Sequence, residues 1–141
     1  MAQKSHDLIL IEDNPDDAEL VLDVLLALNT QLKCLHLHDG ESADAYINGL
    51  LQGTDLRPGL VLLDLQLPKI SGFTILEKLK AHKQTAAIPV VAFTSSKSAT
   101  DRSRSYALGI NAYVTKPIYF EDFQEIVTGL GKFWLLYNEH P

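Results

Sequence analysis

Three short, unbroken apolar runs constrain this chain more than any other feature: Leu8-Ile9-Leu10-Ile11, Leu60-Val61-Leu62-Leu63 and Val90-Val91-Ala92-Phe93. Each is too short for a helix, and the lack of alternation describes a strand buried on both faces. Two runs end in acids, Glu12-Asp13 and Asp64, and the third ends in hydroxyls, Thr94-Ser95-Ser96. Two weaker strands complete the set. Leu32 to Leu37 alternates and reads as more exposed, and Ala112-Tyr113-Val114-Thr115 stops at Lys116-Pro117.

Between these runs the apolar period changes from that of a strand to that of a helix. Asn14 reads as an N-cap, Pro15 as a first-turn residue, and Asp16 and Asp17 as acids favoured by the positive end of a helix dipole. Ala18, Val21, Leu22, Leu25 and Leu26 then recur at helical spacing to about Asn29. Asp39-Gly40 marks a turn into a helix from about Ser42 to Leu51. Arg57-Pro58-Gly59 precedes the strand at Leu60, and Ser71-Gly72 opens a helix through Ile75, Leu76 and Leu79. A weaker helix from about Ala99 to Leu108 stops at Gly109, and Phe120 to about Leu130 forms the last. The tail Phe133-Trp134-Leu135-Leu136-Tyr137 is unusually apolar for a chain end. Strands this apolar, alternating with helices, require a doubly wound α/β fold with a parallel sheet covered on both faces. A length of 141 residues suits one domain, read as a core from about 7 to 130 with an extension over 131–141.

In such a sheet every strand ends at the same edge, where ligands bind. That edge collects Glu12, Asp13, Asp64, Thr94 and Lys116. A strand has to stop at some polar residue, so each alone is unremarkable; together they form a constellation. Carboxylates crowded within a few ångströms repel unless a cation neutralises them, and hard oxygen donors of this kind suit Mg²⁺. A carboxylate can also act as a nucleophile toward phosphorus when positive charge surrounds the transferring group. Asp64 would be that nucleophile, Mg²⁺ and Lys116 the charge, and Thr94 a hydroxyl that senses the phosphate.

The balance of twelve Lys and Arg against eighteen Asp and Glu, a net charge of −6, argues against direct binding of nucleic acid. No apolar stretch is long enough to span a bilayer, and Glu12 interrupts the first apolar run before it could act as a secretory segment. The lone Cys34 fits a reducing compartment and reads as core filling, so a cytoplasmic protein is expected. His36 and His38 share one side of their strand, but with no third ligand nearby they read as edge histidines. Lys97, Arg102 and Arg104 around the fourth helix read as a solvated surface in preference to a kinase contact.

The motifs carry a family resemblance over most of the chain, from about Asp7 to about Leu130. Ile-Leu-Ile-Glu-Asp-Asn-Pro at 9–15, Leu-Leu-Asp-Leu-Gln-Leu-Pro at 62–68 with Ser71-Gly72, Phe-Thr-Ser at 93–95 and Tyr-Val-Thr-Lys-Pro at 113–117 resemble the receiver domain of bacterial two-component response regulators. The resemblance implies a flavodoxin-like (βα)5 sheet of order 2-1-3-4-5 and a sensor histidine kinase as phosphoryl donor to Asp64. It implies that Glu12, Asp13, Asp64 and the Gln66 backbone carbonyl hold Mg²⁺, and that a cis Lys116-Pro117 bond aims the ammonium. Thr94 and Tyr113 would switch the face formed by the fourth helix, fifth strand and fifth helix, while Gln66 and Ser96 would tune the phosphate lifetime. The domain would catalyse only its own phosphotransfer and dephosphorylation.

A finer likeness, carried by residues 89–97, by Asp122-Phe123 and by the Phe133-Trp134 tail, is to single-domain regulators paired with phytochromes. It implies a light-sensing kinase and a homodimer through the last helix and Phe133, Trp134, Leu136 and Tyr137. With about ten residues after the last helix, no attached output domain is expected, and the signal would leave by a binding partner or a change in association. Three other functions share parts of the pattern. An FMN carrier would be repelled by Glu12, Asp13, Asp16 and Asp17; a haloacid-dehalogenase-type phosphatase needs an acid where Gln66 stands; and a phosphorylation-independent scaffold has no need of the complete set of strand-end residues.

Overall fold

A computed structural model describes residues 5–53 and 57–140. The secretory reading of the N-terminus falls partly on residues 1–4, outside the described residues. Five strands, β1 (Leu8–Ile11), β2 (Cys34–Leu37), β3 (Leu60–Leu63), β4 (Val90–Thr94) and β5 (Ala112–Thr115), alternate with five helices. The helices are α1 (Pro15–Leu28), α2 (Gly40–Leu51), α3 (Gly72–Ala81), α4 (Ala99–Ala107) and α5 (Phe120–Gly131). All strands are parallel, in the order β2-β1-β3-β4-β5. This is the flavodoxin-like architecture expected from the alternation.

The period of two along each strand divides the core. Leu8, Leu10, Leu60, Leu62, Val91 and Phe93 pack with Val21 and Leu25 of α1 and Phe123 and Val127 of α5. Ile9, Ile11, Val61, Leu63, Val90 and Ala92 pack on the other face, with Ile47 of α2 and Phe73, Ile75, Leu76 and Leu79 of α3. The three central strands are buried throughout, whereas β2 and β5, at the sheet edges, are half-buried. Phe93 meets Phe123 edge to face at 5.2 Å, an arrangement worth about 1 kcal/mol beyond the area it buries.

Local signals set the helix ends. Asn14 Oδ1 accepts from the N–H groups of Asp16 and Asp17, so the start of α1 is fixed directly after the acidic end of β1. The helix expected from about Ser42 starts earlier, at Gly40, because Asp39 is itself the cap and accepts from Ser42 N–H at 2.7 Å. Beyond α5 the chain does not stop. Lys132–Tyr137 continues as a π-helical turn, closed by Asn138 N–H donating to Phe133 carbonyl at 2.6 Å.

Candidate functional site

The parallel register brings the strand-end residues together. Ile11 pairs with Leu63, so Glu12 and Asp64 emerge side by side, and Asp64 N–H donates to Ile11 carbonyl at 3.0 Å. Thr94 pairs with Thr115, and Lys116 N–H donates to Thr94 carbonyl at 2.7 Å, one step beyond the β4–β5 ladder. The Lys116–Pro117 bond is trans, contrary to the expected cis turn, since no cis bond occurs among the described residues. Trans is favoured even before proline, by about 0.5–1 kcal/mol. Here the ladder delivers Lys116 to the edge, and its long side chain reaches the acids without a cis bond.

Three carboxylates, those of Glu12, Asp13 and Asp64, each offer an oxygen within 4.8 Å of the others. Glu12 and Asp64 are buried, at 1% and 5% exposure, while Asp13 faces solvent. Lys116, also buried, directs its ammonium at Glu12 Oε1 (2.7 Å), Asp64 Oδ2 (3.0 Å) and Asp17 Oδ2 (3.0 Å). Gln66 N–H donates to Asp64 Oδ1 at 2.9 Å, which leaves the Gln66 side chain outside in solvent. His36 Nε2–H donates to Glu12 carbonyl at 2.7 Å and steadies the acidic turn from β2; its ring lies 4.1 Å from that of His38.

The electrostatics follow from burial and crowding. Desolvation pushes Glu12 up to about 7, aided by the Asp64 charge and opposed by the hydrogen bond from Lys116. Burial acts to lower Lys116, but the hydrogen bond to Glu12 and the charges of Asp64 and Glu12 outweigh it and hold the ammonium above the ordinary lysine range. The local charge is therefore short of cations: three carboxylates contact one ammonium, and a fourth, Asp13, adjoins two of them. Oxygen donors at this spacing, one facing solvent, fit a hard divalent cation that keeps part of its water shell.

Thr94 is fully buried, and its hydroxyl accepts from Ser96 N–H at 3.3 Å. Its hydrogen bond is thus with the loop rather than with Asp64. Ser96 is a junction. Its hydroxyl donates to Asp101 Oδ2 at 2.6 Å in the first turn of α4, and its carbonyl accepts from the Tyr113 hydroxyl at 2.9 Å. Tyr113 is half-buried on the α3 face of β5. Gly72 opens α3 so close to the Asp64 carbonyl and Leu65 backbone that any Cβ would collide with them.

Glu12, Asp13, Asp64 and Lys116 thus form one cluster, with Thr94 at its margin and Tyr113 linked through Ser96. Of the tail residues, Phe133, Leu136 and Tyr137 are more than half exposed, whereas Trp134 folds back on the α1/α5 core. Sequence reasoning missed Asp17 as a member of the site. It read that acid as a partner of the helix dipole; the available signal was its place in the first turn of α1, directly above the strand end.

The profile of the response regulator receiver domain family matches residues 8–128. A probable methanogenesis regulatory protein, FilR2 of Methanothrix harundinacea, is 36% identical over 95% of this chain and 86% of its own length. Response regulator Rcp1 of Synechocystis is also 36% identical, over 91% of this chain and 88% of its own, and the structure of its Mn²⁺-bound form superposes with a TM-score of 0.83. The phosphorylated cyanobacterial phytochrome response regulator RcpA, 33% identical over 97% of this chain and 99% of its own, superposes with a TM-score of 0.87.

Proposed function

The chain belongs to the response regulator receiver domain family, and from that premise we propose that Asp64 accepts a phosphoryl group from the phosphohistidine of a sensor histidine kinase. The observation that carries this reading is the buried Asp64 carboxylate held between the Lys116 ammonium and two further acids able to share a cation. An Asp64 oxygen attacks phosphorus opposite the P–N bond of the donor. The new P–O bond forms as the P–N bond breaks, and the departing imidazole nitrogen keeps the electron pair and takes up a proton from water. Glu12, Asp13, Asp64 and the Gln66 backbone carbonyl would hold Mg²⁺, which when bound would supply positive charge to the phosphoryl oxygens. Lys116 contacts the same oxygens from the β5 side.

Phosphorylation turns the Thr94 hydroxyl from Ser96 N–H toward a phosphoryl oxygen. Ser96 then shifts, and with it the Tyr113 hydroxyl and the first turn of α4, since both are bonded to Ser96. The output is a remodelled α4–β5–α5 face, and the domain catalyses only its own phosphotransfer and dephosphorylation. The similarity to the cyanobacterial phytochrome response regulator RcpA supports a phytochrome as the kinase. The exposed Phe133, Leu136 and Tyr137, with Trp134 as their anchor on the core, support a homodimer through the tail. Among the described residues no helix is long and apolar enough to cross a membrane, and the proposed location is the cytoplasm.

The test is incubation with Mg²⁺ and phosphoramidate followed by intact-mass measurement. One phosphoryl adduct, labile to hydroxylamine, is expected on the native protein and none on Asp64→Asn. An adduct that survives Asp64→Asn would remove Asp64 as acceptor.

A further inference from the structure

Asp17 takes no part in the chemistry proposed above, yet it makes one of the three contacts of the buried lysine. An ammonium has three N–H donors. Lys116 has one carboxylate oxygen available for each, on Glu12, Asp64 and Asp17 at 2.7, 3.0 and 3.0 Å. Glu12 and Asp64 belong to the cluster whose oxygens could ligate a cation; Asp17 lies outside it. Once a cation draws on Glu12 and Asp64, and a phosphoryl group occupies an Asp64 oxygen, two of the three contacts have competitors. The contact to Asp17 is to an acid outside that cluster, so neither the cation nor the phosphoryl group draws on it.

The position of Asp17 is also rigid. It stands in the first turn of α1, and its N–H donates to the Asn14 cap at 3.1 Å. Its side chain is 29% exposed, against 6% for Lys116, so it closes over the ammonium from the solvent side. With Ser95, Lys97 and Ile118 it lines a cleft of about 320 Å³ that opens at Lys116. We infer that Asp17 is a positioning residue: it holds the Lys116 ammonium beside Asp64 while the cation and the phosphoryl group compete for the other two partners. An acid that served only the helix dipole would have no need to reach across to β5.

This inference rests on Asp64 being the acceptor, and the experiment separates the two. Phosphorylation by saturating phosphoramidate with Mg²⁺ is followed by intact mass for the native protein, Asp17→Ala and Asp17→Asn, each with and without Lys116→Met. Asp17→Ala is expected to slow the saturated rate about tenfold, the scale of one charge-assisted hydrogen bond. Asp17→Asn keeps an oxygen acceptor and should slow it about twofold. In the Lys116→Met background Asp17→Ala should add nothing. A native saturated rate in Asp17→Ala, or its full effect persisting without Lys116, overturns the inference.

A second measurement needs no phosphoryl donor. By NMR, hydrogen exchange of the Lys116 ammonium in the Mg²⁺-loaded protein should be about tenfold faster in Asp17→Ala than in the native protein. Equal exchange rates would also overturn the assignment. Asp17→Leu, of similar size and without an acceptor, replaces Asp17→Ala if that variant does not fold. Failure of the native protein to form any adduct, with the exchange difference intact, would count against the acceptor reading alone.

Discussion

Two lysines sit at opposite edges of the same sheet and show how differently a fold can hold an ammonium. Lys116, beyond the end of β5, is ringed by Glu12, Asp64 and Asp17. Lys80, at the end of α3, donates instead to neutral oxygens: Ala86 carbonyl at 3.0 Å, Ile88 carbonyl at 2.9 Å and Asn111 Oδ1 at 3.0 Å. Burial lowers the pKa of Lys80, with no acid to oppose it, whereas the acids around Lys116 reverse the same desolvation. Lys80 ties the loop before β4 to the start of β5, and Asn111 completes the tie by accepting Val90 N–H at 2.8 Å. Lys80 is half-buried and Lys116 buried, and the larger contrast is in the chemistry of their partners. An ammonium among carbonyls has neutral partners alone, while one among carboxylates is held by groups that the proposed cation and phosphoryl group would also engage.

The largest expected effect comes from removing the lysine that is held among acids. Lys116→Met leaves buried acids facing one another without a counter-ion, a change that costs about 3–5 kcal/mol in buried ion-pair networks. Urea unfolding at pH 8 in EDTA should show that loss, and added Mg²⁺ should recover much of it. A midpoint unchanged from the native protein would mean that the acids already discharge one another by protonation.

Protonation itself is the next effect in size. Glu12, raised to about 7 in the folded chain against an ordinary value near 4.5, binds a proton more readily folded than unfolded. In that window the folded state carries more protons, so the contribution is fully present below about pH 4.5 and is lost as pH rises through 7. The metal-free native protein should therefore lose on the order of 2 kcal/mol between pH 5 and pH 7.5 through this group. Glu12→Gln should flatten the profile over that interval. If the native and Glu12→Gln curves are parallel, the Glu12 carboxyl is ionised at pH 5 and Lys116 alone neutralises it.

How much of this was legible beforehand depended on whether the signal was local. The runs at Leu8, Leu60 and Val90, the Asn14-Pro15 cap and the turn at Ser71-Gly72 are decided by neighbouring residues, and each element lies within a few residues of its expected place. The meeting of Glu12, Asp13, Asp64 and Lys116 was legible because a parallel sheet must deliver its strand ends to one edge. What stayed hidden were contacts that no periodicity encodes. Asp17 reaches Lys116 across 99 positions of chain. Ser96 ties Thr94 to α4 through Asp101, and a helix with only Ser105 buried gives little apolar pattern to read. The tail read as apolar but not as helical, because a π-helical turn has neither the period nor the cap that marks an α-helix.

Lys80→Met gives the smallest expected effect and the cleanest break of the comparison. Removing the ammonium leaves three neutral acceptors, two of them part-buried backbone carbonyls. The loss should be about 1–2 kcal/mol, the scale of a few hydrogen bonds from a charged donor less their replacement by water. Because the pKa of Lys80 is lowered on folding, the native protein buries this charge at a penalty below the titration of the group, and the penalty lifts as pH rises through that folded pKa. The stability difference between native and Lys80→Met should therefore grow as pH rises through that folded pKa. Phosphorylation by phosphoramidate should be unchanged, since Lys80 lies at the sheet edge opposite the acids. A variant that lost phosphorylation while remaining folded would mean that the two edges are mechanically joined through β4, and that Lys80 belongs to the working site despite its neutral partners.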